Sequence, residues 1–192
     1  SYHVQSNKAI SSVIHLAGLK SIKISINNPL EYWDINVLGT LSLLSTMIRY
    51  KCHNLIYSSS ATVYKPKGFN MFKENDDLKP NNPYGKTKLA VEEILNDLFY
   101  TNSLNNWKIA NLRYFNPAGA HHSGIIGENP KGESTNLFPS IVNVIKKKQK
   151  ELFIFGNNWP TKDGTCIRDF IHVMDLAEAH ISALEYLLSN KA

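Results

Sequence analysis

Hydrophobic and polar positions along the chain follow two periods in turn. The run "SVIHLA" (12–17) is short, apolar and β-branched, and predicts a buried strand. From Pro29 the period lengthens. In "PLEYWDINVLGTLSLLSTMIRY", Leu30, Trp33, Val37, Leu41, Leu44 and Ile48 recur at spacings of three and four. This predicts a helix over 29–50, with Pro in its first turn and those residues as its buried stripe. Gly39 in mid-helix costs about 1 kcal/mol against alanine, which points to a close contact there. "NLIYSSS" (54–60) predicts a second strand that ends on three serines. After a polar, proline-containing loop, a helix is predicted over about 83–100, with Leu89, Val91, Ile94, Leu95 and Leu98 on its apolar side. "WKIANLRYF" (107–115) predicts a third strand. Residues 116–135 read as a loop long enough to have a function. A helix in "NLFPSIVNVIKKK", a strand in "ELFIF" (151–155) and a strand in "CIRDFIHV" follow. The last helix is expected to begin at Asp175, with Glu178 completing a capping-box-like start.

Alternation of strands and helices from residue 12 to about 155 predicts an α/β fold with a doubly wound parallel sheet. Composition changes this picture little. The 192 residues, 43% apolar and 19% charged, suit a soluble domain with a sizeable core. No apolar run reaches the length of a membrane span and "SYHVQSNK" has no signal-peptide core, so the expected compartment is cytoplasmic. Cys52 and Cys166 match no metal spacing and read as two reduced cysteines. The net charge of +5 comes from scattered lysines and the cluster "KKKQK" (146–150), which suits a helix C-terminus. Aromatic residues are not interleaved with that cluster, so neither nucleic acid nor a membrane is an expected partner.

In parallel sheets ligands bind beyond the carboxyl ends of strands. The first strand is followed by "AGLK" (Ala17, Gly18, Lys20), the second by "SSSATVY" and the third by "RYFNPAGA". Each alone is an ordinary polar turn. Tyr84 and Lys88, in "YGKTK", add to them: at i and i+4 they share a helix face. A free phenol ionises near pH 10, too high for a base at neutral pH, and a nearby ammonium favours the phenolate. Ser60 is a candidate hydroxyl partner. Tyr-x-x-x-Lys arises often by chance, but here it opens the helix after a strand ending in three serines.

The segments "VIHLAGLK", "NVLGT", "SSSATVY", "NPYGKTK", "LRYFNPAGAH", "TNLFP" and "DGTCIRDFIHVMDLA" occur in this order over about residues 12–187. Together they resemble the UDP-glucose 4-epimerases, extended short-chain dehydrogenases. The resemblance implies an incomplete Rossmann-like sheet, with residues 1–115 the C-terminal part of an NAD-binding domain. Residues 116–192 would be part of a smaller UDP-sugar domain, crossing back near 166–190. It implies NAD as a transient oxidant at C4 of the sugar, interconverting UDP-glucose and UDP-galactose. Tyr84 would be the base, Lys88 would hold the nicotinamide ribose and lower the phenol's pKa, and Ser60 would bond the 4-hydroxyl. Ala17, Gly18, Lys20, Asn36, Ser58 and Phe115 would line the cofactor. Thr62, Asn116, Asn136, Leu137, Phe153, Phe155 and Arg168 would contact the substrate, the guanidinium gripping the diphosphate. A homodimer would form through helices 29–50 and 83–100.

Some features depart from the family. No G-x-x-G-x-x-G segment occurs in these 192 residues. The family's remaining sugar-nucleotide segment is not in them either, so this stretch is expected to be inactive by itself. Related dehydratases carry a Thr-Asp-Glu-like set after the second strand; Ser60-Ala61-Thr62 offers no carboxylate, which favours epimerisation. A non-catalytic remnant or interaction module, and a UDP-hexosamine or UDP-glucuronate 4-epimerase, are the alternatives.

Overall fold

A computed structural model describes residues 9–68, 70–101, 106–130 and 136–189. The predicted loop over 116–135 is therefore described only to residue 130. The chain divides into two units, Ser1–Tyr114 with His180–Ala192, and Phe115–Ala179.

The first unit is built on a parallel sheet in the order β1 (Val13–His15), β2 (Asn54–Ser58), β3 (Lys108–Leu112). Ile14 stands opposite Ile56, and Ile56 opposite Ala110. Leu55, Ile56 and Tyr57 are all buried although successive side chains point to opposite faces, so the central strand is covered on both sides. The connection from β1 to β2 is helical: α1 (Ile22–Asn27), α2 (Pro29–Tyr32), a π-helical segment Trp33–Leu38, and α3 (Gly39–Arg49). The connection from β2 to β3 is α4 (Pro83–Thr101). Val37, Leu44, Met47, Leu55, Tyr57, Val91, Leu95 and Trp107 form the core between these helices and one sheet face.

Two expectations for the first helical run change. Val37 and Leu44 are buried, but Leu30, Trp33, Leu41 and Ile48 are 81%, 39%, 38% and 41% exposed. The inward positions are Tyr32, Asn36, Thr40, Leu44 and Met47. The π-helical segment widens the turn, so positions four apart line up and two polar residues replace the expected apolar ones. Gly39 meets no close neighbour: a Cβ there would find only the Asp34 carbonyl, at 4.0 Å. Helix α1 lacks a helical period, since Ile22, Ile24 and Ile26 alternate and are exposed; it starts where Ser21 Oγ accepts the Ile24 N–H.

In the second unit β4 (Asn116–Ala118) pairs in parallel with β5 (Phe170–His172), and α5 spans Leu137–Ile145. Gly119, at φ +95, passes so close to His172 that a Cβ would lie 2.4 Å from its ring nitrogen. The strand expected at 151–155 does not form: these residues are exposed and belong to neither sheet ladder. An apolar run without a partner's N–H and C=O groups has nothing to hold it as a strand. The last helix, α6 (Val173–Leu188), begins before Asp175, which lies in its first turn instead of capping it. His172 Nδ1 accepts the Met174 N–H at that end. Among the described residues, no helix is long and apolar enough to cross a membrane.

Candidate active site

The carboxyl end of β2 and the start of α4 meet through specific local chemistry. Asn82 Oδ1 accepts the Gly85 N–H at 2.8 Å and caps α4, with Pro83 at the first helical position. Gly85 permits the approach itself: a Cβ there would lie 2.7 Å from the Thr62 carbonyl oxygen and 2.8 Å from Pro80 Cβ. Ser60 ends the strand by capping the short 3-10 turn Ala61–Val63, its Oγ accepting from Thr62 N at 3.2 Å and Thr62 Oγ1 at 2.9 Å. The same hydroxyl stands near enough to the Tyr84 phenol to favour its ionised form.

One turn further along α4, Lys88 reaches the strand end from inside. Its Nζ donates to the Ser58 carbonyl at 2.7 Å and lies 4.9 Å from the Tyr57 ring centre and 6.0 Å from that of Tyr84. The Ser58 hydroxyl is bonded to the Tyr114 hydroxyl. Burial brings the Lys88 ammonium down to about 8, opposed by the negative charge of Glu92. Burial pushes the Tyr84 phenol up. Burial sets the direction for the phenol, and the Ser60 hydroxyl acts against it. Burial and the Lys88 charge also lower His15, which bonds Thr40 Oγ1 at 2.9 Å.

The turn after β1 is fastened to the π-helical segment. Asn36 Oδ1 accepts the Leu19 N–H at 2.8 Å, and Nδ2 donates to the Leu19 carbonyl and to Thr87 Oγ1, both at 3.1 Å. A Cβ on Gly18 would stand 2.9 Å from Asn36 Oδ1. Asn36, expected to line a cofactor, thus spends its side chain on shaping the turn; Ala17, Gly18 and Lys20 of that turn are exposed.

Two residues behind the serines were not foreseen. Glu92 is buried and accepts from Ser59 Oγ. Arg113 forks the same carboxylate, Nε lying 3.0 and 3.1 Å from its oxygens and Nη2 2.6 Å from Oε2. The sequence signals were slight: Glu92 continues the spacing Tyr84, Lys88, and Arg113 interrupts an apolar strand.

The other expected site residues lie in the second unit. Asn116 pairs with the Asp169 carbonyl through its backbone N–H at 3.2 Å and Nδ2 at 2.8 Å, beside Arg168 in sequence. Arg168 is exposed and donates to the Ile167 carbonyl at 2.8 Å. Asn136 stands at the N-terminal boundary of α5 and Leu137 is its first residue, both exposed. Phe115, Phe153 and Phe155 are exposed as well.

The chain is 48% identical over 185 residues to the bifunctional UDP-glucose 4-epimerase and UDP-xylose 4-epimerase 3 of Arabidopsis thaliana, covering 96% of this chain and 52% of that protein. Its fold matches the UDP-glucose 4-epimerase of Stenotrophomonas maltophila, crystallised with NAD and formylated UDP-arabinopyranose, at TM-score 0.90 and 44% identity over 95% of this chain and 54% of that one. It also matches the Bifidobacterium longum enzyme, in complex with NAD+ and UDP, at TM-score 0.87 and 43% identity over 93% and 53%. The chain spans about half the length of the curated relatives it matches. With a family match running from residue 3 to residue 191, over both units and every element of the site, the chain belongs to the NAD dependent epimerase/dehydratase family.

Proposed function

We propose that this protein interconverts UDP-glucose and UDP-galactose by transient NAD-dependent oxidation at C4 of the sugar. The observation that carries this reading is Tyr84 and Lys88 on one face of α4, with Lys88 bonded to the Ser58 carbonyl and Ser60 capping the turn that follows, at the carboxyl end of a parallel sheet.

The residues present fit a nicotinamide ribose. Lys88 is a buried three-donor group that gives one N–H to Ser58, which leaves donors of the kind a vicinal diol accepts. Gly18 and Ala17 keep the turn after β1 low, where a Cβ on Gly18 has no room. NAD, when bound, supplies a cationic ring that takes a hydride from carbon and returns it. Tyr84 Oη accepts the proton of the sugar 4-hydroxyl as that carbon is oxidised, and gives it back after the 4-keto sugar has turned over. Ser60 bonds both the phenol and the sugar oxygen and keeps them in line. Lys88 keeps a positive charge close to the site below about pH 8 and so opposes the burial that disfavours the phenolate.

Thr62, Asn116, Asn136, Leu137, Phe153, Phe155 and Arg168 supply the substrate contacts, and Phe115 lies with the cofactor residues; these roles follow the family resemblance. Arg168 suits the diphosphate, which a guanidinium grips in a fork. A homodimer is supported by the outward apolar row Leu30, Trp33, Leu38, Leu41 and Ile48 on the 29–50 run. Free Cys52 and Cys166 suit a reducing, cytoplasmic setting.

The test is epimerisation of UDP-galactose by the full-length protein, followed as UDP-glucose formed, with UDP-xylose in parallel because the Arabidopsis relative is named for both activities. Turnover of UDP-galactose without net NAD reduction is the expected result. Turnover only of UDP-hexosamines or UDP-glucuronate moves the substrate assignment, and failure to bind NAD or turn over any UDP-sugar favours a non-catalytic remnant.

A further inference from the structure

The three serines at the end of β2 serve different masters. The Ser58 carbonyl receives Lys88, and the Ser60 hydroxyl caps the turn Ala61–Val63 beside the Tyr84 phenol. Ser59 lies between them, fully buried, and its hydroxyl turns to Glu92. Glu92 follows Lys88 by one helical turn and Tyr84 by two, so one face of α4 faces the three serines and bonds two of them directly. Arg113 closes the arrangement from just past β3. Its guanidinium holds both oxygens of Glu92, while Nη1 donates to Tyr64 Oη at 3.3 Å and the Glu74 carbonyl at 3.0 Å. The backbone on either side of Arg113 holds the same turn: the Ser59 N–H donates to the Leu112 carbonyl and the Ala61 N–H to the Tyr114 carbonyl, both at 3.0 Å.

We propose that Glu92 and Arg113 are positioning residues, which lock Ser59 and thereby set the Ser58 carbonyl and Ser60 hydroxyl where Lys88 and Tyr84 meet them. A buried carboxylate–guanidinium pair is a weak source of stability, because desolvation offsets much of the attraction. Its value here is geometric. The fork fixes the carboxylate in one orientation, and the carboxylate fixes the one serine that faces away from the reacting groups. Arg113 acts through the serine turn, and Glu92 acts both through that turn and by its charge on Lys88.

This inference rests on the epimerase reading, and its test separates the two. Ser59→Ala removes the hydroxyl and leaves the ion pair, so the fold is kept; Glu92→Gln removes the charge and keeps an acceptor. Both are made in the full-length protein. Rates with UDP-galactose are normalised to folded protein, and the Tyr84 titration is followed by NMR with 13C-labelled tyrosine. Loss of alignment at a reacting centre lowers rate by about ten- to a hundredfold. The expected result for Ser59→Ala is that loss in kcat, KM changed by less than about threefold, and Tyr84 titrating higher as the Ser60 hydroxyl moves away from it. Glu92→Gln should change in the same sense and also lower the Lys88 ammonium further, because its charge no longer opposes burial. An unchanged kcat and Tyr84 titration in Ser59→Ala overturns the proposal, as does a rate loss fully matched by unfolded protein. If the wild type turns over no UDP-sugar, the functional reading fails, and the Tyr84 titration alone decides whether Ser59 positions Ser60.

Discussion

Replacing Lys88 by methionine isolates the energetic effect of the buried ammonium. In the unfolded chain a lysine keeps its proton to 10.5; burial brings Lys88 down to about 8, with Glu92 opposing. Between those two values the unfolded chain binds the proton more tightly than the folded one. Stability therefore rises with pH across that window. Below it both states carry the proton and the full cost of burying the charge is felt. At about 1.36 kcal/mol per pH unit, the rise amounts to about 3 kcal/mol by the top of the window. Methionine has a similar length and no charge, so Lys88→Met should lack this rise. Buried Tyr57 and Tyr84 oppose this rise only near the top of the window, where unfolded tyrosines ionise, and do so in wild type and variant alike. Burial and the Lys88 charge lower His15 below its ordinary 6.5, and burial raises Tyr57 and Tyr84 above 10. Urea unfolding of wild type and variant in parallel, at pH values from 7 to 10, gives the difference directly. Parallel curves would refute the claim that the folded protein buries this charge at a cost.

Tyr84→Phe should abolish epimerisation while NAD remains bound, measured by turnover and by cofactor content; substantial residual turnover would remove Tyr84 from the role of base. Because Ser60 stands beside the phenol and ends the strand, Ser60→Ala should lower kcat more than it raises KM; the reverse pattern would mean that the hydroxyl serves binding alone. Gly85→Ala places a methyl 2.7 Å from a backbone oxygen, and displacing that backbone should cost about 1–3 kcal/mol despite alanine's better helix propensity. Equal or greater stability in urea unfolding would show that the two segments part freely.

Much of the first unit was legible along the chain. The strands β1, β2 and β3, the long helix α4 and the helical run from Pro29 follow from local period and turn residues, because burial of one face imposes its spacing on sequence. The pair Tyr84 and Lys88 was legible for the same reason: a spacing of four is enough to place two side chains on one helix face. The second unit was less so. The strand expected at 151–155 has apolar residues but no ladder, since pairing belongs to the partner segment and not to the run itself.

What the chain could not disclose was set by contacts between distant residues. The π-helical segment moves the buried face from Trp33 and Leu41 to Asn36 and Thr40, and only the match of Asn36 to the Leu19 backbone shows why. Glu92 is buried and pairs with the partly buried Arg113, because the residue just past β3 lies against α4. Gly85 looks like a poor helix former and is a point of contact with Thr62. Sequence alone determined which residues share an element and a face, because those relations depend on a few neighbouring dihedrals. Tertiary structure decided which faces meet, which charges are desolvated, and in which direction the phenol of Tyr84 is pushed, because each depends on groups far away along the chain.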